Sequence, residues 1–168
     1  MPAQPRSPSG IRLVFEPYAG DAQRSYVVES LDFYNVAVTG LTDYHPVNLF
    51  LKSRNGEVLG GLLGHVWGQW LYVRILWVAE TLRRGAYGTR LLDAAEGFAL
   101  DHGCVGSYLD TYSFQGRPFY EKRGYRVIGT IEDCPPGHAK YFLMKRFGGR
   151  KPRPRKPRSA TSVRRRGR

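Results

Sequence analysis

The stretch Leu76-Trp77-Val78-Ala79-Glu80-Thr81-Leu82-Arg83-Arg84-Gly85-Ala86-Tyr87-Gly88-Thr89-Arg90-Leu91-Leu92 changes character twice. Its first residues close a run from Trp70 to Val78 that is rich in aromatic and β-branched side chains, which predicts a strand. A short basic loop with glycines follows. Residues 87–103 then read as a helix: Leu91, Leu92, Ala95, Phe98 and Ala99 fall on one face, and Gly103 is the stop. Where a strand hands over to a helix, free backbone N–H groups meet the positive end of the helix dipole, and that geometry suits a pyrophosphate. Gly85 and Gly88 allow close approach to the backbone. Arg83, Arg84 or Arg90 can donate charge-assisted hydrogen bonds to phosphate oxygens. A basic helix start is also often just a solvated end, so this stretch alone leaves both readings open.

Upstream, residues 11–15 (Ile-Arg-Leu-Val-Phe) predict a first short strand. Residues 21–38 predict a helix, with Asp21 as its cap, Val27, Val28, Leu31, Tyr34 and Val38 at helical spacing, and Gly40 as its end. Val47 to Ser53 and Glu57 to Trp67 predict a hairpin about a two-residue Asn55-Gly56 turn. Gly68-Gln69 predicts a second tight turn into the strand 70–78. Downstream, Val105 to Thr111 predicts a strand, so strand, helix and strand imply a right-handed parallel crossover. A short helix with Pro118 near its first turn ends at Gly124. Tyr125 to Ile131 and Lys140 to Phe147 predict two last strands. The expected sheet is mixed: antiparallel, then one parallel pair, then antiparallel again.

A second segment, Phe119-Tyr120-Glu121-Lys122-Arg123-Gly124-Tyr125, falls on that short helix. With the first, it resembles the GCN5-related N-acetyltransferase (GNAT) superfamily over roughly residues 11–147. The family's loop pattern, Arg/Gln-x-x-Gly-x-Gly/Ala, aligns with Arg83, Arg84, Gly85, Ala86, Tyr87 and Gly88, with Ala86 where glycine is usual. Its second motif, Tyr-x-x-x-Gly-Phe/Tyr, is met by Tyr120, Gly124 and Tyr125. Ser113 stands where the family often has asparagine, and Gln115 is a possible substitute. The resemblance implies an α/β (α+β) fold: a mixed, mostly antiparallel sheet with flanking helices and a central parallel pair, 70–78 and 105–111, that splays. It implies acetyl-CoA as acyl donor, its pantetheine lying in the gap against strand-edge backbone around Trp77 and Val78. The expected donor site thus comprises Trp77, Val78, Arg83, Arg84, Gly85, Ala86, Gly88, Thr89, Ser113 and Gln115, and no metal. The implied activity is transfer of acetyl to a primary amine by direct attack in a ternary complex.

Amide formation from a thioester requires a deprotonated amine, a donor for the oxyanion and a proton for the leaving thiolate. The backbone N–H of Val78 can serve the second need. By analogy with the family tyrosine, Tyr120 serves the third as general acid. Glu80, Asp110 and His138 are candidate bases, beside plainer roles as a helix-entry charge, a turn residue and a solvated loop residue; a water chain or an already neutral amine is the remaining route. Trp67, Trp70, Tyr72, Tyr112 and Phe114 cluster near predicted strand ends and can line an acceptor pocket, although strand aromatics more often serve a core.

Composition bounds the rest. Residues 148–168 hold ten of the 26 Lys and Arg and no Asp or Glu, so residues 1–147 carry 16 basic against 14 acidic groups. The expected organisation is a flexible lead-in at 1–10, an acyltransferase domain at 11–147 and a disordered basic tail at 148–168. Such a tail can contact nucleic acid weakly through phosphates. An RNA- or ribosome-associated acetyltransferase, or a non-catalytic acyl-CoA-binding module, is therefore an alternative to an enzyme for a small-molecule or peptide amine. No run approaches a membrane span, the N-terminus lacks a secretory signal, and Cys104 and Cys134 form no disulfide framework or metal spacing. These features give a cytoplasmic expectation, with a homodimer possible.

Overall fold

The computed structural model describes residues 10–148. Most of the lead-in and nearly all of the basic tail expected from sequence lie outside the described residues. The chain divides into two compact units, one ending at Leu41 and one beginning at Thr42.

In the first unit, α1 spans Asp21–Thr39 and ends on Gly40, whose left-handed backbone (φ 67°) donates its N–H to Val36. Its N-cap is Gly20, not Asp21, and no side chain caps it. Asp21 instead sits in the first turn, where its charge complements the helix dipole. Helix α1 buries none of its residues, the apolar row Val27, Val28, Leu31, Tyr34 and Val38 included. Residues 11–15 form no strand. Their β propensity is real, but a strand exists only where its N–H and C=O groups meet a partner ladder, and propensity does not supply one.

The second unit holds a six-stranded sheet in the order β1-β2-β3-β4-β6-β5. Its strands are β1 (His45–Lys52), β2 (Val58–Trp67), β3 (Trp70–Val78), β4 (Gly106–Tyr112), β5 (Arg126–Glu132) and β6 (Ala139–Arg146). All neighbours run antiparallel except β3 and β4. The fold class is therefore as the sequence predicts. The first hairpin is not closed by a two-residue turn. Ser53 N–H bonds to Glu57 C=O and Gly56 N–H to Ser53 C=O, so Arg54, Asn55 and Gly56 form a three-residue loop with Gly56 left-handed (φ 84°). Gly68 and Gln69 both take positive φ (57° and 66°), as a two-residue hairpin turn with matching twist requires.

Helix α2 (Tyr87–Asp101) connects β3 to β4 and lays Leu91, Leu92, Ala95 and Ala99 on the sheet. They meet Val47, Leu62, Val66, Leu71, Val73, Leu109 and Leu143 in one core. Full burial of a leucine such as Leu92 contributes about 1.5–3 kcal/mol. One charge enters this core. Glu96 of α2 accepts from Lys145 Nζ at 2.6 Å and from the Tyr125 hydroxyl at 3.0 Å, tying the helix to β6 and to the entry of β5. Helix α3 (Arg117–Lys122) follows β4, and Arg123 at its end pairs with Asp93 of α2. Among the described residues no helix is long and apolar enough to cross a membrane.

Two interruptions shape the middle of the sheet. The parallel ladder holds only four pairs, from Trp70–Gly106 to Val73–Leu109. The antiparallel ladder of β2 and β3 shifts at the same level: Gly64 pairs with Val73 but Leu63 with Ile75, which leaves Arg74 as the bulged residue. A bulge bends its strand and increases its twist. Beyond Val73, β3 follows β2 while β4 follows β6, and a gap opens between them. Gly64 permits the close approach at this point, because a Cβ there would overlap the carbonyl oxygen of Tyr72. Gly64→Ala must therefore push backbone apart at the bulge. The expected cost is about 2 kcal/mol, a fall in Tm of roughly 8 °C; an unchanged melting curve would contradict this register.

Candidate active site

The gap is a cleft of about 900 Å³, walled by β3 from Val73 to Val78, by the loop to α2 with its first turn, and by the end of β4 with α3. Of the expected donor-site residues, Trp77, Val78, Arg83, Arg84, Ala86, Gly88, Thr89 and Gln115 line it. Gly85 does not, but a Cβ there would press on the Tyr87 ring at 2.9 Å, so the loop needs its small side chain. Ser113 lies outside the lining as well. Its Oγ meets His138 Nδ1 at 3.2 Å and accepts from the Ala139 N–H at 3.2 Å, which closes the β4 turn onto β6 instead. Gln115 points its Oε1 back to the Tyr112 N–H (3.0 Å) and Thr111 Oγ1 (3.2 Å), bracing the exit of β4.

The strand edge offers backbone to the cleft. Ala79 N–H is donated to Leu59 C=O on the β2 side. Strand alternation therefore turns the N–H and C=O groups of Val78 and Leu76 toward the gap and those of Trp77 toward β2. Leu76 is thus an edge residue that the sequence did not single out, and Trp77 contributes its half-exposed side chain. Arg83 folds back so that its Nε donates to Val78 C=O at 3.3 Å. That contact uses the Val78 carbonyl and leaves the Val78 N–H for another acceptor.

At the other end of the cleft wall, helix α2 begins with its first intrahelical bond from Arg90 N–H to Ala86 C=O. The N–H groups of Tyr87, Gly88 and Thr89 precede that ladder and carry the positive end of the helix dipole. The loop is held in an unusual backbone: Arg84 and Ala86 both take left-handed φ, 68° and 60°. For an L-residue this costs roughly 1–2 kcal/mol. It explains in physical terms why glycine suits the place that Ala86 fills. A Cβ on Gly88 would make only ordinary contact with Phe119 at 3.7 Å and Val78 at 4.0 Å, so a longer side chain there would project into the cleft.

Tyr120 of α3 lines the cleft, only 7% exposed, between Phe119 and Tyr125 at ring separations of 5.1 and 5.8 Å. Burial, and secondarily the negative charge of Asp110, push its hydroxyl up to about 12. Of the three candidate bases, Asp110 alone lines the cleft. Each of its carboxylate oxygens has one partner, Lys140 Nζ 2.9 Å from Oδ2 and the Tyr72 hydroxyl donating to Oδ1 at 3.2 Å, which leaves acceptor capacity on both. Glu80 stands in the 3-10 turn Glu80–Leu82, exposed and outside the lining. His138 is exposed on its loop against Phe114.

The expected acceptor aromatics separate. Trp67 and Trp70 pair at the closed end of the β2–β3 hairpin, remote in sequence register from the gap, where Trp70 stacks under Arg146 at 4.5 Å. They do not belong to the cleft, because the strand opens at Arg74 and not at its start. Tyr72 stacks on Tyr108 at 4.9 Å and reaches the cleft only through Asp110. Tyr112 stacks on Phe114 at 5.3 Å, and of the two Phe114 lines the cleft. Sequence reasoning missed Arg74, Phe119 and Lys140. Only the outward alternation of β6 marks Lys140, and a bulge has no sequence signal that would mark Arg74.

A strand edge with open N–H groups, a helix N-terminus and a buried tyrosine thus surround one long cleft. The acetyltransferase (GNAT) family pattern matches residues 13–125. A blasticidin-S acetyltransferase of Streptomyces morookaense is 45% identical over 94 residues, 55% of this chain and 69% of that protein. The crystal structure of an acetyltransferase from Bacillus cereus superposes with a TM-score of 0.69 at 33% identity, covering 80% of this chain and 98% of that one. A Bacillus anthracis protein solved in complex with acetyl coenzyme A shares the fold at 18% identity, with a TM-score of 0.54 over 63% of this chain and 65% of that one. The chain belongs to the GNAT acetyltransferase family, and it is an N-acetyltransferase.

Replacing Ala86 by glycine removes the left-handed strain of the loop. Ala86→Gly is expected to stabilise the protein by about 1 kcal/mol, raising Tm by roughly 4 °C in thermal unfolding. A loss of stability would mean that Ala86 does not hold this backbone.

Proposed function

We propose that the enzyme transfers acetyl from acetyl-CoA to the primary amine of a small molecule by direct attack, within the region 11–147. The carrying observation is the cleft itself: one end presents the α2 N–H groups and Arg84, the middle presents the Val78 N–H, and Tyr120 faces the space between. These features fit the donor. The helix start and Arg84 suit its pyrophosphate, and the edge of β3 at Leu76 and Val78 suits its amide-bearing arm. Acetyl-CoA supplies an activated thioester carbonyl.

The chain's own groups have three tasks. The Val78 N–H receives the oxyanion as the amine nitrogen bonds to the carbonyl carbon. Asp110 draws the acceptor ammonium, whose proton leaves through water. Tyr120 gives its proton to sulfur as the C–S bond breaks and is reprotonated through water by the proton that the attacking nitrogen releases on becoming the amide, so the products are the amide and a neutral thiol. Burial keeps Tyr120 protonated at every working pH, and the same burial makes it a weak acid, so its proton must move with bond cleavage and not ahead of it. The relative from Streptomyces makes blasticidin S the first acceptor to assay, beside simple amines.

Acetyl-CoA at about 100 times its dissociation constant is expected to stabilise the protein by roughly 2.7 kcal/mol, which raises Tm by about 10 °C in a thermal-shift titration. Tyr120→Phe should keep that shift while kcat falls roughly 100- to 10,000-fold. Unchanged turnover would reject Tyr120 as the acid. No shift with acetyl-CoA would reject the donor site.

The raised hydroxyl has a separate signature. The folded value lies above the ordinary value of 10.0, so the stability linked to protonated Tyr120 is complete below pH 10 and is lost as pH rises toward about 12. Denaturant midpoints should fall over that interval in the native protein and less in Tyr120→Phe.

A further inference from the structure

We infer that the acceptor is a zwitterion, an amine that carries a carboxylate close by, and that Arg74 reads the carboxylate. The inference rests on the function proposed above and names the substrate class of the same site. The last ladder pair of β3 and β4 is Val73–Leu109. Arg74 and Asp110 are the next residues on the two strands, and both line the cleft. They therefore flank its narrow end, where the walls begin to part, midway along β3 and at the far end of the cleft from the loop and helix start that suit the pyrophosphate.

The charges of this pair are unequal in their commitments. Asp110 is compensated on both oxygens, by Lys140 and by the Tyr72 hydroxyl. Lys140 in turn lies over the rings of Tyr112 at 5.4 Å and Phe142 at 5.5 Å, which hold it in place. Arg74 has no ion-pair partner among the described residues. The bulge exposes it, and its charge reaches His65, whose imidazole is held below its ordinary value by burial first and by Arg74 second. The narrow end thus carries one surplus positive charge, on a planar group that matches a carboxylate in bidentate fashion. A simple amine would bring a second cation against it. An amino acid-like acceptor brings its carboxylate to Arg74 and its ammonium toward Asp110, so charges alternate across the cleft.

The test offers one ω-amino acid and its primary amide to the enzyme with acetyl-CoA, and each rate is divided by the free-amine fraction at the assay pH. The wild-type kcat/KM is expected to favour the acid by about tenfold or more, as a charge-assisted hydrogen-bond pair would give. Arg74→Gln should abolish that ratio, mainly through KM of the acid, and Arg74→Lys should restore part of it. A general structural defect would lower both acceptors together and leave the ratio intact, which would overturn the assignment. A wild-type ratio near one also overturns it, while measurable transfer to both acceptors leaves the proposed function standing. Absence of transfer to these acceptors and to blasticidin S would remove the proposed function, and this inference with it.

Discussion

The hydrogen-bond ladder between β3 and β4 stops after four pairs, and the rest of the site follows from that stop. A backbone amide removed from its partner is costly unless water or a ligand satisfies it. Here the break falls where the β2–β3 register shifts by one residue at Arg74. Each half of the sheet keeps its own pairing, β3 with β2 and β4 with β6, through to the ends of the strands. The two halves can diverge without losing antiparallel bonds, so the cost of opening is confined to a short stretch of two strand edges. Those edges line the cleft.

The cleft is made rigid by contacts that do not themselves face it. Glu96 in the core ties α2 to β6 and Tyr125, and Asp93 ties it to Arg123 beyond α3. Breaking the pair of the buried Glu96 leaves an uncompensated charge, so that link tolerates little movement. Helix α2 sets the loop and its N–H groups, and α3 sets Tyr120. Both walls are therefore referenced to the same helix. The loop between β3 and α2 then accepts two left-handed residues, Arg84 and Ala86, a local strain that the packed helix on one side and the strand on the other hold in place.

Charge is distributed along the cleft by the same geometry. At its loop end lie the start of α2, with its helix dipole, and Arg84, while Arg83 is spent on the Val78 carbonyl. The narrow end is lined from β3 and β4 by Arg74 and Asp110, and Lys140 of β6, opposite Tyr112 in register, reaches Asp110 diagonally. Of the cations at the narrow end and in the loop, Lys140 and Arg83 are committed to partners. Arg74 has no ion-pair partner among the described residues.

By itself the sequence determined the element order from residue 21 onward, the mixed sheet with one parallel pair and the glycine-containing loop into α2. These are local properties: alternation in Trp70 to Val78, a helical face from Leu91 to Ala99, glycine near Gly88 and a tyrosine motif at Tyr120. Each is written in neighbouring residues, and neighbouring residues set local backbone preference. The tertiary structure alone decided what depends on pairing. It denied residues 11–15 a strand, since no ladder receives them. It placed the bulge at Arg74, which is a property of two strands in register and not of either one. It moved Trp67 and Trp70 away from the cleft, joined Ser113 at the exit of β4 to His138 in the β5–β6 loop, and set Lys140 against Asp110 across two strands. Contacts separated by 30 residues, as between Asp110 and Lys140, leave no periodic trace in the chain; they exist only once backbone hydrogen bonding has chosen which strands lie side by side.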